Sequence, residues 1–95
     1  MLAPDDSGKA WRVYVVRCGD GTFYTGIAKD VARRLAQHAA GEGARYTRGR
    51  GPIRLWWQSA AMAKSEALSL EYRLKGLTHQ QKVALKDGDR ATRLW

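Results

Sequence analysis

The chain has 95 residues, of which 44% are hydrophobic and 27% are charged. This length allows one domain with a modest core, and this composition excludes an intrinsically disordered protein. Lys and Arg outnumber Asp and Glu by 17 to 9, so the formal net charge is +8. A small body with that charge attracts polyanions, and we favour nucleic acid over acidic lipid or over no specific partner.

The sequence also argues against a disulfide, a structural zinc site, a membrane-spanning helix and a signal peptide. The single cysteine, Cys18, rules out an internal disulfide, and with only two distant histidines it rules out a structural zinc site of the usual spacing. No apolar stretch is long enough to cross a bilayer, and the first ten residues lack the order of a signal peptide. We expect a cytoplasmic protein without a membrane partner, with one domain at residues 11–86 between loosely ordered tails at 1–10 and 87–95.

The predicted domain opens with a β-hairpin. Two runs rich in β-branched and aromatic residues, 11–18 and 22–28, flank the turn signal Gly19-Asp20-Gly21. A two-residue turn would put Tyr14 and Tyr24 on opposite faces. A three-residue turn with a left-handed Gly21 pairs Val16 with Tyr24 and puts both phenols on one face. We expect the second register if both tyrosines serve one site.

Three helices and a third strand follow the hairpin. In chain order we predict a helix over residues 31–40, a basic loop over 42–52, a strand over 53–59, and helices over 63–75 and 78–86. Asp30 is a good N-cap for the first helix, whose apolar stripe is Val31, Leu35 and Ala39. In the third strand, period-two alternation predicts that neighbouring side chains face opposite ways, including those of its two tryptophans, Trp56 and Trp57. The second helix has its predicted buried side at Ala67, Leu70, Leu74 and Leu77.

Five side chains are candidates for chemistry on a phosphodiester: Tyr14, Tyr24, Arg34, His38 and Glu71. Glu71 stands beside an apolar stripe, where a carboxylate is unfavourable unless a cation meets it. It is either a structural residue, exposed or salt-bridged to Arg34, or a ligand of Mg²⁺. A phenol needs a nearby cation to serve as a base, and Arg34 could supply that charge and bind phosphate. His38 could orient water or assist proton transfer.

In this order, the candidate residues resemble the GIY-YIG nuclease family, particularly its small single-domain bacterial UPF0213 proteins. Val13-Tyr14-Val15 stands where the family has its first motif, and Tyr24-Thr25-Gly26 where it has its second. Arg34 matches the helix arginine of the family, and His38 matches a histidine found in one branch. Glu71, and not Glu66, matches the metal-binding glutamate.

The resemblance covers residues 11 to about 85 and implies an α/β (α+β) fold, a three-stranded antiparallel sheet flanked by helices. It implies metal-assisted attack of water on a phosphodiester, with Mg²⁺ or Mn²⁺ as cofactor and a tyrosine or a metal-bound hydroxide as base. The implied catalytic residues are Tyr14, Tyr24, Arg34, His38 and Glu71, and the implied metal ligand is Glu71.

Some positions differ from the family pattern. Arg12 replaces a glycine of the first motif, Thr25 replaces an isoleucine, and Ile27 stands where lysine is frequent. Many members carry an asparagine after the glutamate helix, whereas this chain contains none. We therefore expect a weak or structure-selective DNA endonuclease, with DNA favoured over RNA. The alternative is a nucleic-acid-binding protein that retains a largely inactive nuclease scaffold.

Seven side chains are predicted to contact nucleic acid: Lys29, Arg45, Tyr46, Arg48, Arg50, Arg54 and Lys75. Arginines of the basic loop would follow the phosphate backbone while Tyr46 stacks on a base, and the alternative is a solvated loop without a fixed ligand. A third hypothesis is an adaptor whose exposed tryptophans, such as Trp56, Trp57 or Trp95, dock a protein partner, and the favoured alternative is that these tryptophans pack against helices.

Overall fold

A three-stranded antiparallel sheet with helices on both faces forms the body of the protein. The computed structural model describes residues 9–42 and 47–86. Its elements are β1 (Arg12–Arg17), β2 (Phe23–Ala28), α1 (Val31–Ala39), β3 (Arg54–Gln58), α2 (Lys64–Lys75) and α3 (His79–Ala84). The strand order is β2-β1-β3, so β1 is central. The predicted α+β fold is confirmed.

The turn between β1 and β2 fixes the register of the hairpin. Gly21 has a φ of +86°, a left-handed conformation that other residues rarely adopt. Its N–H donates to the carbonyl of Cys18 at 2.9 Å. Beyond the turn, Val16 pairs with Tyr24, so Tyr14 and Tyr24 lie on the same face. The predicted three-residue turn is confirmed.

The central strand is buried on both faces because successive side chains point in opposite directions. On one face, Val13 and Val15 pack against three residues of the predicted buried side of α2, Ala67, Leu70 and Leu74, whereas the fourth, Leu77, lies beyond the helix and is only partly buried. On the other face, Tyr14 and Val16 pack against Val31 of α1. The sheet therefore separates α1 from α2, and the candidate tyrosines lie on the α1 side.

The third strand contains a bulge that corrects one expectation. Val15 pairs with Trp57 and the next residue of β1 pairs with Leu55, which leaves Trp56 as an extra residue. Trp56 and Trp57 consequently pack against the same core cluster instead of facing opposite ways. The indole N–H of Trp56 donates to the carbonyl of Lys82 at 2.9 Å, which holds α3 against this face.

Helix α1 begins where predicted but buries a different side. Asp30 accepts a hydrogen bond from a backbone N–H of the first turn at 3.0 Å, as expected of an N-cap. Val31 is buried, but Ala39 is exposed and His38 is buried in its stead. An imidazole is rarely buried without hydrogen-bond partners. The partners of the His38 ring therefore explain why the side of α1 that carries His38 faces the core.

The bounds of the predicted domain are not tested by the fold. Residues 1–8 and 87–95 lie outside the described residues, so the two tails and the domain limits stay predictions. Of the helices in residues 9–42 and 47–86, none has the length and apolar character needed to span a membrane.

Replacing Gly21 by alanine tests the register. The left-handed φ of +86° leads us to expect a destabilisation of about 1–2 kcal/mol, measured by urea denaturation. Gly76→Ala is the matched control, because its φ of −83° suits alanine and its nearest contact to an added Cβ is 3.5 Å. Equal stabilities of the two variants would contradict the bulged turn.

Candidate active site

Three predicted site residues meet as a cluster of rings on the α1 face of the sheet. The ring centroids of Tyr14 and Tyr24 are 6.4 Å apart, and His38 lies 5.9 Å from Tyr14 and 5.3 Å from Tyr24. Tyr14 is 1% exposed and His38 is 3% exposed, whereas Tyr24 is half-buried. The fold therefore brings together side chains from β1, β2 and α1.

A buried chain of hydrogen bonds joins the cluster to the loop after α1. The hydroxyl of Tyr14 is 2.9 Å from Nε2 of His38, and Nδ1 of His38 is 2.9 Å from the hydroxyl of Thr47. Thr47 is itself only 2% exposed. A neutral His38 has one N–H, so one hydroxyl donates to the ring and the other accepts from it. Sequence reasoning missed Thr47, since nothing in a glycine-rich basic loop marks one threonine as buried.

The absence of a side chain at Gly26 leaves the space that the ring of Tyr14 occupies. Gly26 pairs with Tyr14 across the hairpin, and a Cβ built on it would lie 2.6 Å from the tyrosine hydroxyl. Real Cβ atoms do not approach so closely, so any larger residue would displace the ring. Because β2 is an edge strand, the phenol of the central strand lies across that edge. The glycine of the second motif thus has a steric role that sequence reasoning did not assign.

The surroundings of Tyr14 favour the protonated phenol. Burial raises the pKa of Tyr14 above its ordinary value of 10.0, the neighbouring guanidinium of Arg34 opposes this shift, and the charges of Tyr24 and Glu71 add to it. The charges of Arg34 and Glu71 thus act on the phenol in opposite directions. At neutral pH Tyr14 keeps its proton and is not a ready-made phenolate base.

His38 is held in its neutral form by the same environment. Burial lowers the pKa of His38 below its ordinary value of 6.5, and the positive charge of Arg34 lowers it further. At pH 7 the ring is uncharged, so one of its two hydrogen-bonded nitrogens carries a proton and the other is an acceptor. Arg34 is half-buried and donates to the side-chain oxygen of Gln37 at 2.9 Å.

Glu71 lies at the partly covered margin of α2, as its position beside the apolar stripe predicted. Its side chain is 19% exposed, and one carboxylate oxygen is 3.5 Å from the ammonium of Lys75. The salt bridge considered from the sequence was to Arg34, whereas the described residues pair Glu71 with Lys75. Such a partly exposed pair is weak, so the carboxylate remains open to a stronger cation.

Residues 10–84 match the family model described as the GIY-YIG catalytic domain. The chain belongs to the GIY-YIG family. GIY-YIG domains indicate a nuclease-type hydrolase that acts on nucleic acid.

Named relatives of this GIY-YIG protein are UPF0213 proteins. It is 55% identical over 73 residues to one from Halobacterium salinarum, covering 77% of this chain and 95% of the relative. It is 49% identical over 81 residues to one from Cronobacter sakazakii, covering 85% of each. The solution structure of the E. faecalis protein EF2693 matches with a TM-score of 0.58 and 35% identity, over 92% of this chain and 90% of that one. These names state no activity.

A divalent metal in this GIY-YIG site would have few protein ligands. Within residues 9–42 and 47–86, no group of three or more His, Cys, Asp or Glu side chains could hold a metal ion. Mg²⁺ often keeps several waters and uses one or two carboxylates together with substrate phosphates. The single carboxylate of Glu71 therefore fits a largely hydrated Mg²⁺ or Mn²⁺ and does not fit a structural zinc ion.

Several predicted nucleic-acid contacts are already engaged within the protein. Arg50 forms an ion pair with Asp20 at 2.8 Å, with both side chains partly exposed. The ammonium of Lys29 lies 5.5 Å from the ring centroid of Trp11. These contacts hold the cations near the surface, where nucleic acid can still compete for them.

Two of the other predicted nucleic-acid contacts are exposed arginines, and two lie outside the described residues. Arg48 and Arg54 are exposed, and neither forms an ion pair with another residue in the described part of the chain. Arg45 and Tyr46 lie outside the described residues, as does Trp95 of the adaptor hypothesis. The roles of this set stay predictions.

The Gly26→Ala substitution tests the placement of Tyr14. Crowding against the ring should destabilise the protein by about 1–3 kcal/mol, measured by urea denaturation. The cost should be much smaller in a Tyr14→Ala background, where no ring remains to be displaced. Additive effects of the two substitutions would contradict direct contact.

The pH dependence of stability tests the burial of His38. Because the folded pKa lies below 6.5, the unfolded chain binds a proton first as the pH falls, and stability is lost on going below about pH 6.5. We expect His38→Gln to reduce the fall in melting temperature between pH 7.5 and 5. The matched control is His79→Gln at an exposed histidine. If His79→Gln flattened the profile equally, the assignment to His38 would be wrong.

Proposed function

We propose that this protein is a divalent-metal-dependent endonuclease that hydrolyses phosphodiester bonds in DNA, with weak or structure-selective activity. The observation that carries the proposal is the buried 2.9 Å hydrogen bond between the hydroxyl of Tyr14 and Nε2 of His38. Arg34 and Glu71 act electrostatically on the same phenol. This arrangement offers a proton acceptor, a phosphate-binding cation and a carboxylate for a metal.

Tyr14 and His38 together supply the base. Tyr14 is protonated at neutral pH, so it takes a proton from an attacking water only as it gives its own to His38. Nε2 is 2.9 Å away on an uncharged ring, which suits it to receive that proton. The tautomer that this transfer needs has its N–H on Nδ1, where it can donate to the hydroxyl of Thr47 2.9 Å away.

Arg34 and Tyr24 are suited to hold the scissile phosphate. The guanidinium of Arg34 offers forked donors and a charge that stabilises the negative oxygens of the transition state. Tyr24 is less buried than Tyr14 and lies beside the same imidazole, so its phenol is nearer the surface at which a phosphate would bind. We therefore assign the base to Tyr14 and phosphate binding to Tyr24.

Glu71 would hold the metal through its carboxylate. When bound, a divalent cation supplies Lewis-acid stabilisation of the negative charge on the leaving oxygen. The basic residues predicted from the sequence would bind the flanking backbone, with Lys29, Arg48, Arg50, Arg54 and Lys75 in described positions and Arg45 and Tyr46 outside them.

A second candidate function is nucleic-acid binding with negligible turnover. The observation that favours it is the pairing of Glu71 with Lys75 at 3.5 Å, which leaves the carboxylate with a competing cation. The missing asparagine of the family pattern points the same way. Both functions predict salt-sensitive binding, so only cleavage separates them.

Cleavage assays with isosteric variants test the nuclease. Purified protein is incubated with labelled single-stranded, duplex and branched DNA in Mg²⁺, Mn²⁺ or chelator. We expect metal-dependent cleavage that Glu71→Gln and Tyr14→Phe each reduce by roughly 10²–10⁴-fold, since each removes a group acting in the transition state. Glu66→Gln is the matched control, because Glu66 caps the same helix by accepting from the N–H of Ala63 at 3.0 Å and glutamine preserves that cap.

Two outcomes would contradict the proposal. Cleavage that survives both Glu71→Gln and Tyr14→Phe unchanged would come from a contaminating nuclease. Salt-sensitive DNA binding by the unaltered protein without cleavage in either metal would establish the binding function instead.

A further inference from the structure

An exposed tyrosine lies beside the candidate metal ligand and has no part in the site described above. Tyr72 is 82% exposed, compared with 46% for Leu68 one turn earlier on α2. With Arg73, Lys75, Gly76 and Leu77 it lines an open groove of about 570 Å³ at the end of the helix. A tyrosine so exposed contributes little to the core, so its ring is available to a ligand.

The groove adjoins the candidate active site through a shared side chain. Lys75 lines the groove and also places its ammonium 3.5 Å from the carboxylate of Glu71. Tyr72 directly follows Glu71 in the chain. A ligand that reaches from the carboxylate into the groove would therefore contact Lys75 and the ring of Tyr72.

The chemistry of the groove matches an unpaired nucleotide. Its lining contains two cations and no acidic residue, which favours an anion, and its one aromatic ring offers a flat apolar surface. A phosphate on Lys75 or Arg73 with its base on the ring satisfies both features, as in proteins that bind single strands. A base inside a duplex is already stacked on its neighbours, so only an unpaired base can take this position.

We propose that Tyr72 stacks on an unpaired base adjacent to the scissile phosphate and so makes this protein select nucleic acids with single-stranded positions. The identity of the ligand rests on the proposed function. A protein partner fits the groove less well, because lysine is depleted at the centres of protein interfaces.

Binding in the presence of a chelator tests the stacking without cleavage. The probes are a single strand, a blunt duplex, and a duplex with a short overhang that carries the fluorescent base 2-aminopurine at its unpaired position. We expect Tyr72→Ala to weaken binding of the single strand and the overhang by about 5- to 150-fold and to abolish quenching of the 2-aminopurine. Tyr72→Phe should bind as the unaltered protein does, because the ring is kept.

Two controls separate stacking from general damage. Leu68→Ala removes another exposed apolar side chain of α2 that does not line the groove, and it should leave binding of every probe unchanged. Tyr72→Ala should leave the melting temperature and the binding of the blunt duplex unchanged, because the side chain is 82% exposed and meets no paired base.

The proposal is overturned if Tyr72→Ala binds all three probes normally, or if it loses the blunt duplex as much as the overhang. A change in sedimentation of Tyr72→Ala without loss of nucleic-acid binding would assign the groove to a second copy of the chain and also overturn it. Failure of the nuclease proposal can be distinguished from failure of the stacking proposal. If the protein does not cleave DNA but quenching of 2-aminopurine still requires Tyr72, the stacking is supported. If the protein cleaves DNA but quenching does not require Tyr72, the stacking alone is refuted.

Discussion

The buried hydrogen bond between Tyr14 and His38 is the interaction on which the arrangement of this protein depends. Both side chains are almost completely covered, so removing either partner would leave the other unsatisfied at a cost of about 1–3 kcal/mol. Making the bond requires the central strand, the first helix and the loop with Thr47 to converge, and it requires a glycine at position 26. The atoms that stabilise this half of the core are therefore those proposed to perform the chemistry.

The same burial determines the protonation states of Tyr14 and His38, which form the proposed base. Burial raises the pKa of Tyr14 and lowers that of His38, so each is kept uncharged although they titrate in opposite senses. Charge separates within the pair only as a proton moves along the hydrogen bond. In the proposed reaction, the positive charge of Arg34 would favour negative charge on the phenol and on a bound phosphate, while it discourages early protonation of His38.

Local signals predicted most of the fold, and long-range contacts account for what they missed. Asp30 acts within its own turn, so the start of α1 followed from a local signal, whereas the turn at Gly21 allowed two registers and the observed one was expected only if both tyrosines serve one site. The burial of His38 depends on Tyr14, which is 24 residues away. In the same way, the bulge at Trp56 arises from pairing with a distant strand, and the helical stripe by itself favoured Ala39 over His38.

Lys75 links the metal chemistry of the proposed nuclease to substrate binding. Its ion pair with Glu71 is partly exposed, and such pairs contribute about 0–1 kcal/mol, so a DNA phosphate can draw the ammonium away at little cost. If Lys75 binds phosphate in the proposed nuclease, the carboxylate of Glu71 would lose its cation and would bind a divalent metal more readily. By linkage, the metal would then favour DNA by the same factor. A proposed metal ligand that is paired with a displaceable lysine would in this way keep its metal affinity low until a substrate is present.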